Sequence, residues 1–284
     1  MNVEKKFTIG DFEVTLLSDG IYRLDGGAMF GVVPKTMWAK RLPPDEDNRI
    51  GLGLISALVR TPKENIIIET GVGDHFDEKF CGIYCLNHTD NLLKGLDRIG
   101  LKTSDIDKVI LSHMHFDHIG HNTRRIESAE FVPTFENAEY VFQKKEYDFA
   151  NDPPVRVKAS YLPFLWKPIE ASGQLRLIEG NVEITPGIRS VVTGGHTEGH
   201  QMLVIESGGK GAIFWGDLIP TSAHTDYPYI MGYDLFPLDT LKAKEKYIPY
   251  AIENDYISIW THEPVLRYGK IRKGDGKSHE FEWM

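Results

Sequence analysis

The stretch SHMHFDHIGHN at 112–122 constrains this chain more than any other part of its sequence. It follows an apolar run at 108–111, which predicts a short buried strand. His113 and His115 are two residues apart, so on an extended backbone they face the same point, while Asp117 and His118 lie on the following turn and can face a second point. Imidazole nitrogen and carboxylate oxygen suit zinc, and also iron, nickel or manganese. The stretch therefore predicts a metal site at a strand end, with a polar turn of surface histidines as the alternative.

Further residues of the same chemical type follow apolar runs later in the chain. His196, Asp217 and His262 each come shortly after a predicted strand. Taken singly, each has an ordinary explanation as a capped loop residue, a turn former or a strand-end side chain that bonds the backbone. Taken together they complete two expected ligand sets: His113, His115 and His196 for one metal, and Asp117, His118 and His262 for the other. Asp217 is expected to bridge the metals, because a carboxylate has two oxygens and an imidazole offers one free nitrogen.

Apolar runs and helical patterns alternate in both halves of the chain. Strands are predicted at 12–17, 54–60, 65–69, 108–111, 139–142, 175–178, 182–184, 188–192, 202–205, 212–215 and 257–260. Helices are predicted at 91–99, 144–149, 155–166 and 238–252. No linker-like segment divides the chain, so we expect one domain over 1–284, with two sheets packed together and covered by helices. The Gly-rich and then polar segment 26–48 is expected to be a loop near the active site.

Charge and composition exclude several classes of partner. The formal net charge of −9 would repel a phosphate backbone, so nucleic acid is not an expected substrate. No stretch approaches the length of a membrane span, and the first twelve residues lack a secretory apolar run, so we expect no membrane partner and a cytoplasmic location. Cys81 and Cys85 are expected to be free thiols or core residues, because two cysteines do not make a disulfide framework.

The motifs together resemble those of a known family. HxHxDH at 113–118, GGHTEGH at 194–200, WGD ending at Asp217 and the late His262 are similar to the metallo-β-lactamase superfamily. The resemblance covers nearly the whole chain. It implies an α/β fold, the αββα sandwich of two mixed sheets flanked by helices, and a dinuclear metal centre. Zinc is the first expectation for both metal ions, with iron, manganese, cobalt and nickel as alternatives.

Two shorter stretches narrow the resemblance. HFDH at 115–118 with Asp217, and GGAMFGVVPK at 26–35, look most like the N-acyl-homoserine lactonases and the related methyl parathion hydrolases. Two positions depart from that pattern. Glu69 stands where the family usually has Asp, and His121 stands where lactonases often have Gly. The geometry around these two side chains is therefore open at the level of sequence.

The resemblance implies hydrolysis of a lactone or a carboxylic ester by a hydroxide bridging two metals. Asp117 is expected to be a ligand and to carry a proton to the leaving alkoxide. His224 is expected to stabilise the oxyanion, with a plain surface histidine as the alternative. The expected substrate contacts are Met29, Phe30 and Trp38, for which a core or dimer contact is the alternative, and Tyr227.

Competing functions differ in substrate more than in fold. A phosphotriesterase and a glyoxalase II-type thiolester hydrolase are the main alternatives, the latter weakened because the basic stretch at 270–277 is short. A nuclease is disfavoured by the acidic charge, and the flavin-linked di-iron oxidoreductases normally carry Glu at the position of His115. A non-catalytic metal-binding protein is the alternative from another class. The expected partner is a small-molecule ester or lactone, and a homodimer stays open.

Overall fold

The computed structural model describes residues 4–87, 89–274 and 278–284. Its first half contains β1 (Glu4–Ile9), β2 (Phe12–Asp25), β3 (Arg49–Arg60), β4 (Asn65–Ile68), β5 (Lys108–Ile110), the separate hairpin of β6 (Thr123–Arg125) and β7 (Phe131–Pro133), β8 (Glu139–Gln143) and β9 (Leu175–Ile178). Its second half contains β10 (Glu183–Thr185), β11 (Ile188–Val192), β12 (Gln201–Ser207), β13 (Lys210–Phe214), β14 (Ile257–Ile259), β15 (Gly269–Lys273) and β16 (His279–Trp283).

Each half forms one seven-stranded sheet. The strand order is β1-β2-β3-β4-β5-β8-β9 in the first and β10-β11-β12-β13-β14-β15-β16 in the second. The first sheet is antiparallel up to β4 and parallel from β4 to β9. In the second sheet only the β13–β14 pair is parallel. Both sheets are therefore mixed, as expected from the sequence.

Helices cover the outer faces of the two sheets. They are α1 (Gly26–Phe30), α2 (Lys35–Trp38), α3 (Glu78–Tyr84), α4 (Leu92–Arg98), α5 (Phe116–Ile119), α6 (Lys144–Asn151), α7 (Lys167–Ser172) and α8 (Pro237–Glu253). The central strands are buried on both faces. Successive side chains of a strand point in opposite directions, so they pack alternately between the sheets and under the helices. On β2, Leu16 packs between the sheets and Leu17 packs under the helices. On β12, Leu203 faces the first sheet and Val204 faces α8. This layering confirms the αββα sandwich.

Two sequence predictions differ from the structure. The segment 26–48 was expected to be a loop, but it begins with α1, which Asp25 caps by accepting a hydrogen bond from the Ala28 amide at 2.8 Å. The helix predicted at 155–166 was wrong, because only the short 3₁₀ turns Lys158–Ser160 and Pro163–Leu165 form there. Pro163 forces the residue before it into an extended conformation, which ends a helix.

The carboxyl ends of β5, β11, β13 and β14 carry the predicted ligand residues. These ends lie at one edge of the sandwich, so residues from both sheets meet there. The C-terminal strands β15 and β16 were not predicted, and residues 275–277 of the basic stretch lie outside the described residues. Within the described part of the chain, no helix combines the length and hydrophobicity that a bilayer crossing needs. Cys81 and Cys85 are free thiols, as expected.

Candidate metal centre

Three imidazoles converge at the first expected ligand set. The Nδ1 atom of His115 lies 3.0 Å from His113 Nε2 and 3.1 Å from His196 Nε2. All three side chains are buried. His113 and His115 lie just beyond β5 in the first sheet, whereas His196 follows β11 in the second. The three nitrogens are close enough to bind one metal ion together.

The second expected set also comes together. His118 Nε2 lies 3.2 Å from His262 Nε2, and Asp117 Oδ2 lies 3.6 Å from each of these nitrogens. Asp117 and His118 belong to the short helix α5, and His262 follows β14. Gly120 lets α5 approach the preceding turn, since a Cβ atom there would lie 1.9 Å from the carbonyl carbon of Val72. This set is likewise compact enough for one metal ion.

Asp217 lies between the two sets and turns one oxygen towards each. Its Oδ2 atom is 3.2 Å from His196 Nε2 in the first set. Its Oδ1 atom is 3.2 Å from His262 Nε2 and 3.6 Å from His118 Nε2 in the second. Oδ1 is buried and has no hydrogen-bond partner among the described residues. A carboxylate in this position has the geometry of a bridging ligand.

The tautomers of the histidines show that the site suits cations. His118 Nδ1 donates to Glu69 Oε2 at 2.8 Å, and His262 Nδ1 donates to the Gly53 carbonyl at 2.9 Å. In the neutral rings the two Nε2 atoms therefore carry lone pairs, which face each other across 3.2 Å. His196 is fixed in the same way, because its Nδ1 donates to Asp234 Oδ1 at 2.9 Å. Facing lone pairs repel each other, and a cation between them removes that repulsion.

The electrostatics lead to the same conclusion. Burial alone would lower the pKa of His118, but the carboxylates of Glu69, Asp117 and Asp217 raise it well above the usual value. Burial alone would raise the pKa of Asp217, but the surrounding imidazoles hold it well below the usual value. For His115, burial lowers the pKa to about 3, so its imidazole is neutral and able to bind a metal. The buried carboxylates thus require nearby positive charge.

Glu69 performs the orienting task despite being one carbon longer than the usual Asp. Besides His118, it accepts hydrogen bonds from the hydroxyls of Ser112 and, at 2.7 Å, Thr261. Its φ angle of 62° is in the left-handed region, which is uncommon for a residue other than glycine. His121 is the second departure. Its Nε2 pairs with Asp19 Oδ1 at 2.8 Å, so this imidazole is engaged outside the two ligand sets. Both departures are therefore accommodated within the fold.

A cavity of about 440 Å³ opens above the two ligand sets. Its floor is formed by His115, Asp117, His196, Asp217 and His262, and its walls include Tyr22, Leu24, Met29, Tyr84, Phe116, Val157, Met231 and Tyr233. Met29 lines this cavity, and its contact with a substrate stays a prediction. The mostly apolar walls and polar floor are typical of a small-molecule site.

Phe30 and Trp38 do not reach this cavity, which corrects the expectation that they contact the substrate. Both are buried in the core, where their rings stack with centroids 5.2 Å apart. The opposite face of Phe30 stacks on His224 at 4.3 Å. A helical backbone turns successive side chains by about 100°, so Met29 and Phe30 of α1 point in different directions.

His224 and Tyr227 are also placed away from the cavity. His224 is buried, accepts a hydrogen bond from Thr221 Oγ1 at 2.7 Å and donates to the Met29 carbonyl at 2.9 Å. Neither ring nitrogen is left to stabilise an oxyanion, so that expectation is corrected as well. Tyr227 packs edge-on against His279, with ring centroids 5.6 Å apart, and does not contact the cavity.

Sequence reasoning missed Tyr22, which lies in the cavity wall. Its hydroxyl donates to Asp117 Oδ2 at 2.7 Å and lies 3.5 Å from His262 Nε2. Burial and the carboxylate of Asp117 raise its pKa well above 10, so it remains a donor at neutral pH. Asp234, which orients His196, was missed too. Neither residue belongs to a local motif, so the sequence alone offered no signal for them.

Comparisons with known proteins agree with this geometry. Residues 56–262 match the profile of the metallo-beta-lactamase superfamily. The N-acyl homoserine lactonase of Bacillus cereus is 29% identical over 176 residues, which are 58% of this chain and 63% of that protein. The N-acyl homoserine lactonase AttM of Rhizobium radiobacter is 24% identical over 194 residues, 65% of this chain and 69% of that protein. The match thus spans less than two thirds of the first relative's length.

Solved structures share the fold over nearly the full chain. A probable metal-dependent hydrolase from Staphylococcus aureus is 33% identical, with a TM-score of 0.89 and coverage of 98% of this chain and 99% of that one. AidC, a dizinc quorum-quenching lactonase, is 23% identical, with a TM-score of 0.79 and coverage of 99% and 96%. The second likeness bears on the fold alone. With the family profile matching 56–262 and the sandwich fold around the two ligand sets, this chain belongs to the metallo-β-lactamase superfamily.

Proposed function

We propose that this protein is a dinuclear metal-dependent hydrolase that opens lactones of the N-acyl-homoserine lactone type or cleaves carboxylic esters. The observation that carries the proposal is the position of Asp217 at the cavity floor, with one oxygen towards each ligand set. The curated relatives that are named N-acyl homoserine lactonases support the lactone as substrate.

The seven side chains fit two divalent metal ions. His113, His115 and His196 would hold one ion, Asp117, His118 and His262 would hold the other, and Asp217 would bridge them. Zinc is the first candidate because the ligands are imidazole nitrogens and carboxylate oxygens. When bound, two such ions supply Lewis acidity, which polarises a carbonyl group and makes water more acidic.

The remaining chemistry falls to the residues of the cavity. Asp117 is a carboxylate at the floor, where it would accept a proton from the attacking water and deliver it to the leaving oxygen. Tyr22 holds this carboxylate in place through its 2.7 Å hydrogen bond. An apolar wall of the cavity excludes water and contacts the hydrocarbon part of a substrate; it is formed by Leu24, Met29 and Met231.

Metal analysis and a substrate panel test the proposal. Protein purified without chelator should contain close to two metals per chain by elemental analysis. It should hydrolyse hexanoyl-homoserine lactone and p-nitrophenyl esters faster than paraoxon or S-lactoylglutathione, and chelator should abolish the activity. His262→Ala should lose one metal, while His121→Asn should keep two, because His121 bonds to Asp19 and belongs to neither ligand set. One metal or none in the unaltered protein, or turnover of paraoxon or the thiolester alone, would contradict the proposal.

A further inference from the structure

Arg156 is the single lysine or arginine among the described residues that line the cavity. The side chain is exposed, whereas His196 and Asp217 at the floor are buried. Arg156 therefore lies at the end of the cavity that opens to solvent, and the ligand sets lie at the other end. Apolar side chains such as Leu24 and Met29 line the same cavity.

This guanidinium has no ion-pair partner in the part of the chain that the structure describes. Ten of the twelve arginines have a carboxylate oxygen within 4.0 Å, and Arg125 and Arg156 have none among residues 4–87, 89–274 and 278–284. The protein carries a net charge of −9, so carboxylates are plentiful on its surface. An unpaired arginine that faces a cavity in such a protein is available for a ligand.

A hydrogen bond also orients the Arg156 side chain. One N–H of Nη2 donates to the Gly232 carbonyl at 3.0 Å. The Gly232 amide in turn donates to the Ala28 carbonyl at 2.8 Å, which ties the acceptor to α1 in the cavity wall. A guanidinium has five N–H donors, so four remain for a ligand. Its neighbour Tyr233 does not compete as an anion, because burial raises the pKa of that hydroxyl to about 12.

We propose that Arg156 binds a carboxylate at the far end of the substrate, so that the preferred substrate is an ester or lactone with an acidic group beyond its apolar part. A guanidinium fits a carboxylate through two parallel hydrogen bonds, which makes this group the best match for the free donors. The order along the cavity then mirrors the order along the substrate: reacting bond at the floor, hydrocarbon at the walls, anion at the opening. This inference rests on the proposed hydrolase function.

A matched pair of esters tests the inference. Mono-p-nitrophenyl adipate and p-nitrophenyl hexanoate have the same six-carbon acyl chain, and only the adipate ends in a carboxylate. The metal-loaded protein should show a higher kcat/KM for the adipate, and the preference should decrease as salt is added. Arg156→Gln should lower the adipate-to-hexanoate ratio by roughly 2- to 5-fold, mainly through KM, as expected for an exposed charge-assisted pair. Arg156→Lys should keep part of the preference, since it keeps the charge and loses the paired geometry.

Arg125→Gln is the control, because it removes the other unpaired arginine, which lies outside the cavity. It should keep the ratio of the unaltered protein. A protein without preference for the adipate ester, or an Arg156→Gln variant with an unchanged ratio, would overturn the inference. If neither ester nor hexanoyl-homoserine lactone is hydrolysed, the proposed function fails, and calorimetry with adipate and hexanoate then decides on Arg156 alone. Tighter binding of adipate that Arg156→Gln abolishes would support the role of Arg156, and equal binding would refute it.

Discussion

Replacing Phe30 with alanine should lower stability while leaving substrate selectivity intact. Phe30 is fully buried, with Trp38 stacked on one face at 5.2 Å and His224 on the other at 4.3 Å. Removing a buried Phe side chain costs about 3–5 kcal/mol in free energy of unfolding, because apolar burial is lost and a void remains. For a protein of this size that loss lowers Tm by roughly 6–20 °C.

Met29 provides the matched comparison, since it is the neighbouring residue and lines the cavity. Met29→Ala also removes buried surface and should cost about 2–5 kcal/mol. It widens the cavity as well, so it should change how kcat/KM depends on the acyl-chain length of a series of p-nitrophenyl esters or lactones. Phe30→Ala should leave the shape of that profile unchanged. Both variants can be followed by calorimetric unfolding and by kinetics on the same preparation. An unchanged Tm together with a flattened chain-length profile for Phe30→Ala would refute the reasoning.

Three further predictions follow from the site and its surroundings. Asp217→Asn should retain fewer than two metals per chain by elemental analysis, since an amide cannot offer two anionic oxygens. Two full metals and an unchanged kcat would show that Asp217 is not a bridging ligand. Glu69→Gln should weaken metal binding by roughly 10–100-fold in a chelator competition, and unchanged affinity would count against its orienting role. Burial would raise the pKa of Asp226, but hydrogen bonds from His279 and Arg41 lower it to about 2. Its carboxylate therefore stabilises the fold above pH 4, and this contribution is lost as the pH falls towards 2. Asp226→Asn should therefore lower the urea midpoint at pH 6 but hardly at pH 2, and an equal loss at both pH values would contradict this linkage.

The positions of the candidate ligand residues could be predicted from the sequence because local patterns determine them. His113 and His115 follow an apolar run, and two-residue spacing on an extended chain makes them face the same point. The same reasoning predicted Asp217 and His262 at the ends of β13 and β14, and the layered fold followed from the alternation of strands and helices.

The orientation of α1 could not be predicted, because contacts with distant residues determine it. Phe30 packs on His224, which is nearly 200 positions away in the chain, and the Met29 carbonyl bonds to the same imidazole. No local period specifies which of two adjacent apolar side chains faces a cavity. Tyr22 was missed for a similar reason. The strand predicted at 12–17 ends before it, because the register of β2 shifts between Ser18 and Ile21 and interrupts the alternating pattern.

Each ligand set takes residues from both sheets, and this division has a thermodynamic consequence. His115 and His196 in one set, and His118 and His262 in the other, lie beyond strands of opposite sheets. A cation held by either set is therefore a cross-link between the two halves of the sandwich, and its contribution to stability grows with the logarithm of the free metal concentration. Linkage is reciprocal, so a substitution such as Ile205→Ala between the sheets would weaken the apparent cation affinity once it leaves a sizeable fraction of the chain unfolded. The persistence of the folded chain in a cell would then depend on the cell's supply of metal.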